Sequence, residues 1–402
     1  MTVLLRPRRA LRLMFVLPPL TGHLHPALAL AAELGRRGHV VAWAGPEPVL
    51  RPVLGPGALV LPTGSRLFRE QAVGGTEAIR TLWQDFVVPY TRFTLPAVRR
   101  AVREWSPDLV LVDQHSPAGA LAAHEQGVRW AGFAPSAMEL GRPPLQPPEL
   151  AAWQQELLTG LWRRAGLPAA EYTDPRYSAR LILAPTAPAL LGVAQDGLEM
   201  PGGEPLPPHT EAVGPLLTDR PSTAQFPYDR LDPDRRHVLV TLGTLSASVA
   251  GDFLLRAGQA LTSLADRVQA VVAAPKQVLS KLPDGVVGLP QVPVLDLLRR
   301  GVVDAVLCHG GMNTVVEALA HGVPLVVAPI RHDQPITAAR VAALGAGVEV
   351  DFTAAPATAI RDALVSVLDR TEPRRAAELM SRRLAGLGGA RRAADLLEEC
   401  AG

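Results

Sequence analysis

Short apolar runs alternate with helical patterns along most of the chain. Residues 12–17 (RLMFVL) read as a buried strand, followed by a Pro/Gly turn, an Ala/Leu-rich helix to about Gly38 and a strand at 39–44 (HVVAWA). A helix over 95–105 leads to a strand at 108–113 (DLVLVD), a helix near 117–126 and a strand at 128–134. Apolar runs flanked by turn residues and alternating with helices predict βαβ units and a parallel sheet. The pattern lapses in the middle: 137–175 is Pro-bearing with weak strand periodicity, and 195–236 is rich in Pro, Gly and Asp, as a surface loop or linker is. Alternation resumes at 237 (HVLVTL) and runs through 268–273, 302–308, 323–328 and 347–351; helices at about 372–386 and 390–400 have no strand after them.

The pattern therefore predicts an α/β chain with two doubly wound, Rossmann-like domains facing each other across a cleft. The expected boundaries are 1–215, 216–384, and a C-terminal helix over 385–402 that packs back on the first domain. In such sheets ligands bind beyond the carboxyl ends of the strands. The segments there are polar or glycine-rich: PPLTGHLHP after the first strand, QHSPAG after Asp113, GTLSAS after 237–242, HGGMNT after 302–308 and PIRHDQP after 323–328.

Composition narrows the picture. The chain has 402 residues, 48% hydrophobic and 19% charged, enough apolar material for sizeable cores and incompatible with disorder. Lys+Arg 40 against Asp+Glu 38 leaves a formal charge of +2, which argues against a nucleic-acid surface. Two cysteines, Cys308 and Cys400, make neither a disulfide framework nor a zinc site alone, so a reducing, cytoplasmic setting is expected. Arg6, Arg8, Arg9 and Arg12 before LMFVL mimic a secretory signal, but the apolar core is short and Pro18-Pro19 ends it. No apolar run is long enough to span a membrane. A monomer or homodimer is expected.

The most informative stretch is His309-Gly310-Gly311-Met312-Asn313-Thr314, with Glu317 one helical turn on. Two glycines let backbone approach a ligand, Asn313 or Thr314 can open a helix, and the free N–H groups of a helix N-terminus suit a phosphate or diphosphate. A capped tight turn would look similar. The segment from Val303 to Gln334 resembles the nucleotide-sugar signature of the family 1 inverting glycosyltransferases of the GT-B fold, which include bacterial natural-product, macrolide and zeaxanthin glycosyltransferases. HGGMNTVVE followed by HDQ matches that signature in residues and spacing; TLGT at 241–244 resembles the family's Ser-Leu-Gly-Thr turn, Gly22-His23 its Gly-His, and the PAG after Asp113 the carotenoid-type members.

The resemblance implies residue roles. His309, Thr314 and the backbone of Gly310, Gly311 and Asn313 hold the diphosphate, with Gly243, Thr244 and Ser246 approaching from the opposite loop. Glu317 binds the ribose, Asp333 and Gln334 bind sugar hydroxyls, and Pro290-Gln291 borders the base. Gly288 stands where many plant members have Trp, so stacking by that residue is lost and base identity, UDP or dTDP, is open. His23 is the expected base and Asp113 its orienting carboxylate, although His25 and His115 compete for those places. Asp232-Pro233-Asp234 satisfies a metal-binding string but lies among turn formers, so no metal and no cofactor beyond the nucleotide sugar is expected. Trp83, Phe86, Tyr90, Phe93 and Met138 suggest a hydrophobic small-molecule acceptor, with Trp83, Phe86 and Met138 as its contacts.

Together these imply an inverting, metal-independent transfer of a hexose or deoxyhexose from a UDP- or dTDP-sugar to a hydroxyl of a secondary metabolite. A nonhydrolysing sugar-nucleotide epimerase would need acid/base carboxylates facing the sugar, and only Asp333 is obvious. A catalytically silent nucleotide-sugar-binding partner would not need both His23 and Asp113. A dinucleotide oxidoreductase would carry Gly-any-Gly-any-any-Gly, which PPLTGHLHP lacks.

Overall fold

A computed structural model describes residues 9–64, 74–140, 147–194, 205–217, 225–243, 250–283 and 285–402. The strands are β1 (Arg12–Val16), β2 (Val40–Gly45), β3 (Leu59–Pro62), β4 (Leu109–Asp113), β5 (Trp130–Phe133), β6 (Ile182–Ala184), β7 (Thr210–Ala212), β8 (Arg236–Thr241), β9 (Val268–Ala273), β10 (Val287–Leu289), β11 (Ala305–Cys308), β12 (Leu325–Val327) and β13 (Gly347–Glu349). They form a seven-stranded sheet in the order β3-β2-β1-β4-β5-β6-β7 and a six-stranded sheet in the order β10-β9-β8-β11-β12-β13. Every pairing is parallel.

Each central strand is apolar on both sides because both faces of each sheet are covered. In the first sheet Leu13, Phe15, Leu109 and Leu111 face one way, onto helix Thr21–Arg36 and the C-terminal helix Gly389–Ala401. Met14, Val16, Val110 and Val112 face the other, onto the helices within 75–105, 118–125 and 148–164. In the second sheet Val238, Val240 and Leu307 face helices Gly251–Thr262 and Ala357–Asp369. Leu239, Val306 and Val327 face a core shared with helix Met312–Ala320 and helix Thr371–Gly386. That core also takes in Ala134, Ile182 and Leu190, so the halves are joined by apolar packing.

The C-terminal helix returns to the first sheet. Leu396 and Leu397 are buried among its strands, and Arg37 Nη1 donates to Asp395 (2.6 Å) and Glu398 (3.1 Å). Several elements differ from the sequence expectation. The supposed Pro-bearing loops contain a 17-residue helix, Pro148–Arg164, with Trp162 buried. The helix expected at 95–105 is the end of a longer helical run that begins at Gly75 and includes a π-helical turn, Leu82–Val87. Strands β3, β6, β7 and β10 were not predicted; at three or four residues each they are too short to show a period.

Candidate active site

Strand order reverses between β1 and β4 in one sheet and between β8 and β11 in the other, and these two switch points face each other. A cleft of about 1050 Å³ lies between them. It is lined from the first half by Gly22, His23, His25, His115, Ser136 and Met138, and from the second by Gly243, Gln291, His309, Gly311, Asn313, Thr314, Glu317, Asp333 and Gln334. Side chains some 290 positions apart in sequence thus border one cavity.

The first-half groups come together through the ends of β1 and β4. His23 sits in the opening turn of helix Thr21–Arg36, and Asp113 is the last residue of β4, completely buried beneath it. His23 Nδ1 lies 2.7 Å from Asp113 Oδ2. A carboxylate only accepts, so Nδ1 carries the proton, and in the neutral ring the lone pair is on Nε2. The other oxygen, Oδ1, accepts from the backbone N–H of His115 at 2.8 Å, fixing the carboxylate plane. Of the three neighbouring imidazoles, it is the His23 ring that meets the Asp113 carboxylate; His25 lines the cleft.

The second-half turn is shaped by packing. Gly311 is the N-cap of helix Met312–Ala320, so the helix opens at Met312, ahead of the Asn313 or Thr314 expected. Its first amides have no intrahelical acceptor. The His309 ring lies against two glycines: a Cβ on Gly243 would sit 2.8 Å from His309 Nε2, and one on Gly311 only 2.6 Å away. Gly243 also has φ +76°, a conformation that favours glycine. Burial, and then the charge of the nearby Arg331, push the His309 pKa down to about 4, so its ring is neutral near pH 7. Gly310 is not part of the lining; its φ is +85°, and a Cβ there would strike Val327 and the Gln334 backbone. Its place is in the turn. Thr244 and Ser246 lie outside the described residues.

Ser136–Asp333 and Asn313–Gly22 are hydrogen bonds, among the described residues, that cross the cleft. Ser136 Oγ donates to Asp333 Oδ2 at 2.8 Å, partly offsetting the upward shift that burial imposes on the Asp333 carboxyl. Asn313 Nδ2 donates to the Gly22 carbonyl. Pro26, four residues on in the same helix, has no N–H to give that carbonyl, and Asn313 takes the vacated place. Gln334 Oε1 is committed to the backbone N–H groups of Ile330 (2.8 Å) and Arg331 (2.9 Å), which leaves its amide nitrogen for other partners.

The expected acceptor contacts need correction. Met138 lines the cleft, but Trp83 and Phe86 do not: both are buried in the core behind it. Trp83 Nε1 donates to Glu139 Oε1 (3.1 Å), and Phe86 stacks on Tyr90 with ring centres 5.3 Å apart. Of the aromatic cluster read as a wall, Trp83, Phe86 and Tyr90 are core, while Phe93 is exposed. Ser136 and Glu139 went unrecognised, although they follow β5 and the strand-end rule applies there as it does after β1. His23, Asp113 and His115 place one possible ligand atom each within 4.8 Å of one another. Both Asp113 oxygens there already accept hydrogen bonds, as an orienting carboxylate does. Asp232 instead accepts from the Asp234 N–H at 3.0 Å and pairs with Arg235 at 2.9 Å, in a turn remote from the cleft lining.

No helix among the described residues is long and apolar enough to cross a membrane. Residues 259–387 match the family described as Erythromycin biosynthesis protein CIII-like, C-terminal domain. The elloramycin glycosyltransferase ElmGT of Streptomyces olivaceus is 30% identical over 365 residues, 84% of this chain and 86% of that one. Among solved structures, the glycotransferase of kitacinnamycin aligns with a TM-score of 0.78 at 26% identity, covering 98% of this chain and 100% of that one. The spinosyn rhamnosyltransferase SpnG, solved with thymidine diphosphate, aligns at 0.75 and 25% identity, covering 96% and 99%. With two parallel sheets meeting at a shared cleft, these likenesses show that the chain belongs to the family 1 natural-product glycosyltransferases of the GT-B fold and is a nucleotide-sugar-dependent glycosyltransferase.

Proposed function

We propose that the enzyme transfers a hexose or deoxyhexose from a dTDP- or UDP-sugar to a hydroxyl of a hydrophobic small molecule, with inversion and without a metal ion. The observation that carries this reading is the His23–Asp113 pair at 2.7 Å, on the wall of the cavity whose other wall holds the His309–Thr314 turn. His23 Nε2 takes the acceptor proton as the oxygen attacks the anomeric carbon, and Asp113 steadies the imidazolium that forms. The leaving diphosphate meets the open N-terminus of helix Met312–Ala320, the neutral His309 ring and the Thr314 hydroxyl, donors fixed before the reaction starts. Glu317, buried one turn into that helix, is assigned to the ribose, and Asp333 and Gln334 to sugar hydroxyls. One displacement inverts the anomeric centre with no covalent sugar–enzyme intermediate. SpnG, a rhamnosyltransferase, was solved with thymidine diphosphate, which favours dTDP-deoxyhexoses as the first donors to try. Leu20, Leu82 and Met138 give the acceptor half an apolar lining.

A donor screen by mass shift, with dTDP- and UDP-sugars against macrolide, polyphenol and carotenoid acceptors, followed by proton NMR of the product, tests the reading. An α-linked donor sugar is expected to give a β-linked product. A retained anomeric configuration would require a different chemistry at His23.

A further inference from the structure

His115 is buried (4% exposed), borders the cleft, and is not needed for the base pair just described. Neither of its ring nitrogens has a hydrogen-bond partner. Its backbone is pinned by the N–H to Asp113 Oδ1, and its ring packs edge-on to Trp83 at 87°, with centres 6.2 Å apart. Its Nε2 stands 3.7 Å from Glu139 Oε1, an ion-pair separation too long for a hydrogen bond. Glu139 is itself held by Trp83 Nε1 (3.1 Å) and Arg176 Nη1 (2.8 Å), and Arg176 is tied to Asp174 at 2.8 Å. Burial disfavours the charged ring, but Glu139 and Asp113 outweigh it and raise its basicity.

A ring kept only to fill the core would be better replaced by Phe or Leu, which would orphan no nitrogen and need no buried carboxylate. The buried Trp83–Glu139–Arg176 assembly instead holds the ring at the border of the cleft, which Leu82, Met138 and Ser136 also line, with both nitrogens just beneath the surface. The His23 and His115 rings lie 5.1 Å apart, centre to centre, at 42°. Oxygens on neighbouring carbons of one acceptor are within hydrogen-bonding distance of each other, so one can face each ring.

We propose that His115 is a specificity-determining residue of the acceptor subsite: its ring hydrogen-bonds an oxygen on the carbon next to the one bearing the reacting hydroxyl. It thereby favours acceptors with two oxygens on neighbouring carbons, such as a vicinal diol or an ortho-dihydroxy aromatic. This rests on the reading of His23 as the base.

The test compares kcat/KM for naphthalene-2,3-diol and 2-naphthol in the full-length enzyme, using whichever donor the screen identifies. The wild type is expected to prefer the diol by roughly tenfold, the size of effect a hydrogen bond to a charged group has. In His115→Phe, which keeps an aromatic ring and removes both nitrogens, the ratio is expected to fall to within about threefold of one, most of the change lying in the acceptor KM. In Glu139→Gln, which leaves His115 in place without its carboxylate, the ratio is expected to fall part of the way. Calorimetric nucleotide binding confirms that each variant is folded. A wild type that does not distinguish the probes, or a His115→Phe enzyme that still does, overturns the proposal. A wild type that transfers to neither probe removes the acceptor reading on which it rests, and the proposal goes with it.

Discussion

At the residue scale, the central arrangement is a buried carboxylate that holds one of three neighbouring imidazoles and, in the proposed mechanism, makes it the base. Asp113 binds His23 Nδ1 with one oxygen and the His115 backbone with the other. Asp113→Asn keeps the size but can present its NH₂ group to His23, favouring the wrong tautomer. In the Ser-His-Asp triad, which the handling of this base parallels, the equivalent change lowers kcat about 10⁴-fold. A fall of at least about 10³-fold in kcat, with nucleotide affinity kept, is expected here by the same logic. Steady-state kinetics beside calorimetry measure both, and a variant within tenfold of wild type would show that Asp113 only shapes the turn. The second half uses glycine where the first uses a carboxylate: Gly243 and Gly311 leave room for the His309 ring, and any side chain there would push that ring out of its place.

At the element scale, helix Ala118–Glu125 approaches β1 and β4 closely because Gly119 has no side chain. A Cβ there would come 2.8 Å from Val112 Cγ2 and 3.0 Å from Val16 Cβ. Gly119→Ala is expected to cost about 1–3 kcal/mol, by overpacking. Calorimetry should show a thermal midpoint several degrees lower, and an unchanged midpoint would mean that the helix moves away freely. The same region shows what could be read from sequence alone. The PAG motif marked this turn, and β1, β4, β8, β9 and β11 were visible as apolar runs because parallel sheets are buried on both faces. The glycine-rich turn was legible too, since its chemistry is local. Trp83 was misread because no helix was expected over the stretch leading to residue 95, and the π-helical turn that carries it and turns it inward leaves no mark in residue type. Ser136, Glu139 and Arg176 become neighbours of the cleft or of His115 only through tertiary packing, and no spacing announces them.

At the scale of the whole molecule, the two sheets are joined by a shared core, by the Asn313–Gly22 and Ser136–Asp333 bonds, and by a C-terminal helix that returns to the first sheet. This joined interior holds His309 and His332 neutral, with pKa values pushed down by burial to about 4 and about 3 from 6.5. The unfolded chain therefore binds protons that the fold refuses, and this contribution to stability is whole above pH 6.5 and lost as pH falls toward 4. At pH 5 the loss is about 1–2 kcal/mol for each ring. Thermal midpoints measured from pH 7.5 to 5 should decline, and less steeply in His309→Gln; parallel curves would mean that His309 is not held neutral. The central claim is a division of labour across the cleft, base on one wall and diphosphate seat on the other. Its most direct test is the pair kcat and nucleotide Kd in His23→Ala. The account predicts that turnover falls at least 10³-fold while Kd, by calorimetry, stays within about threefold. Near-normal turnover, or a lost nucleotide site with turnover per bound donor intact, would contradict it.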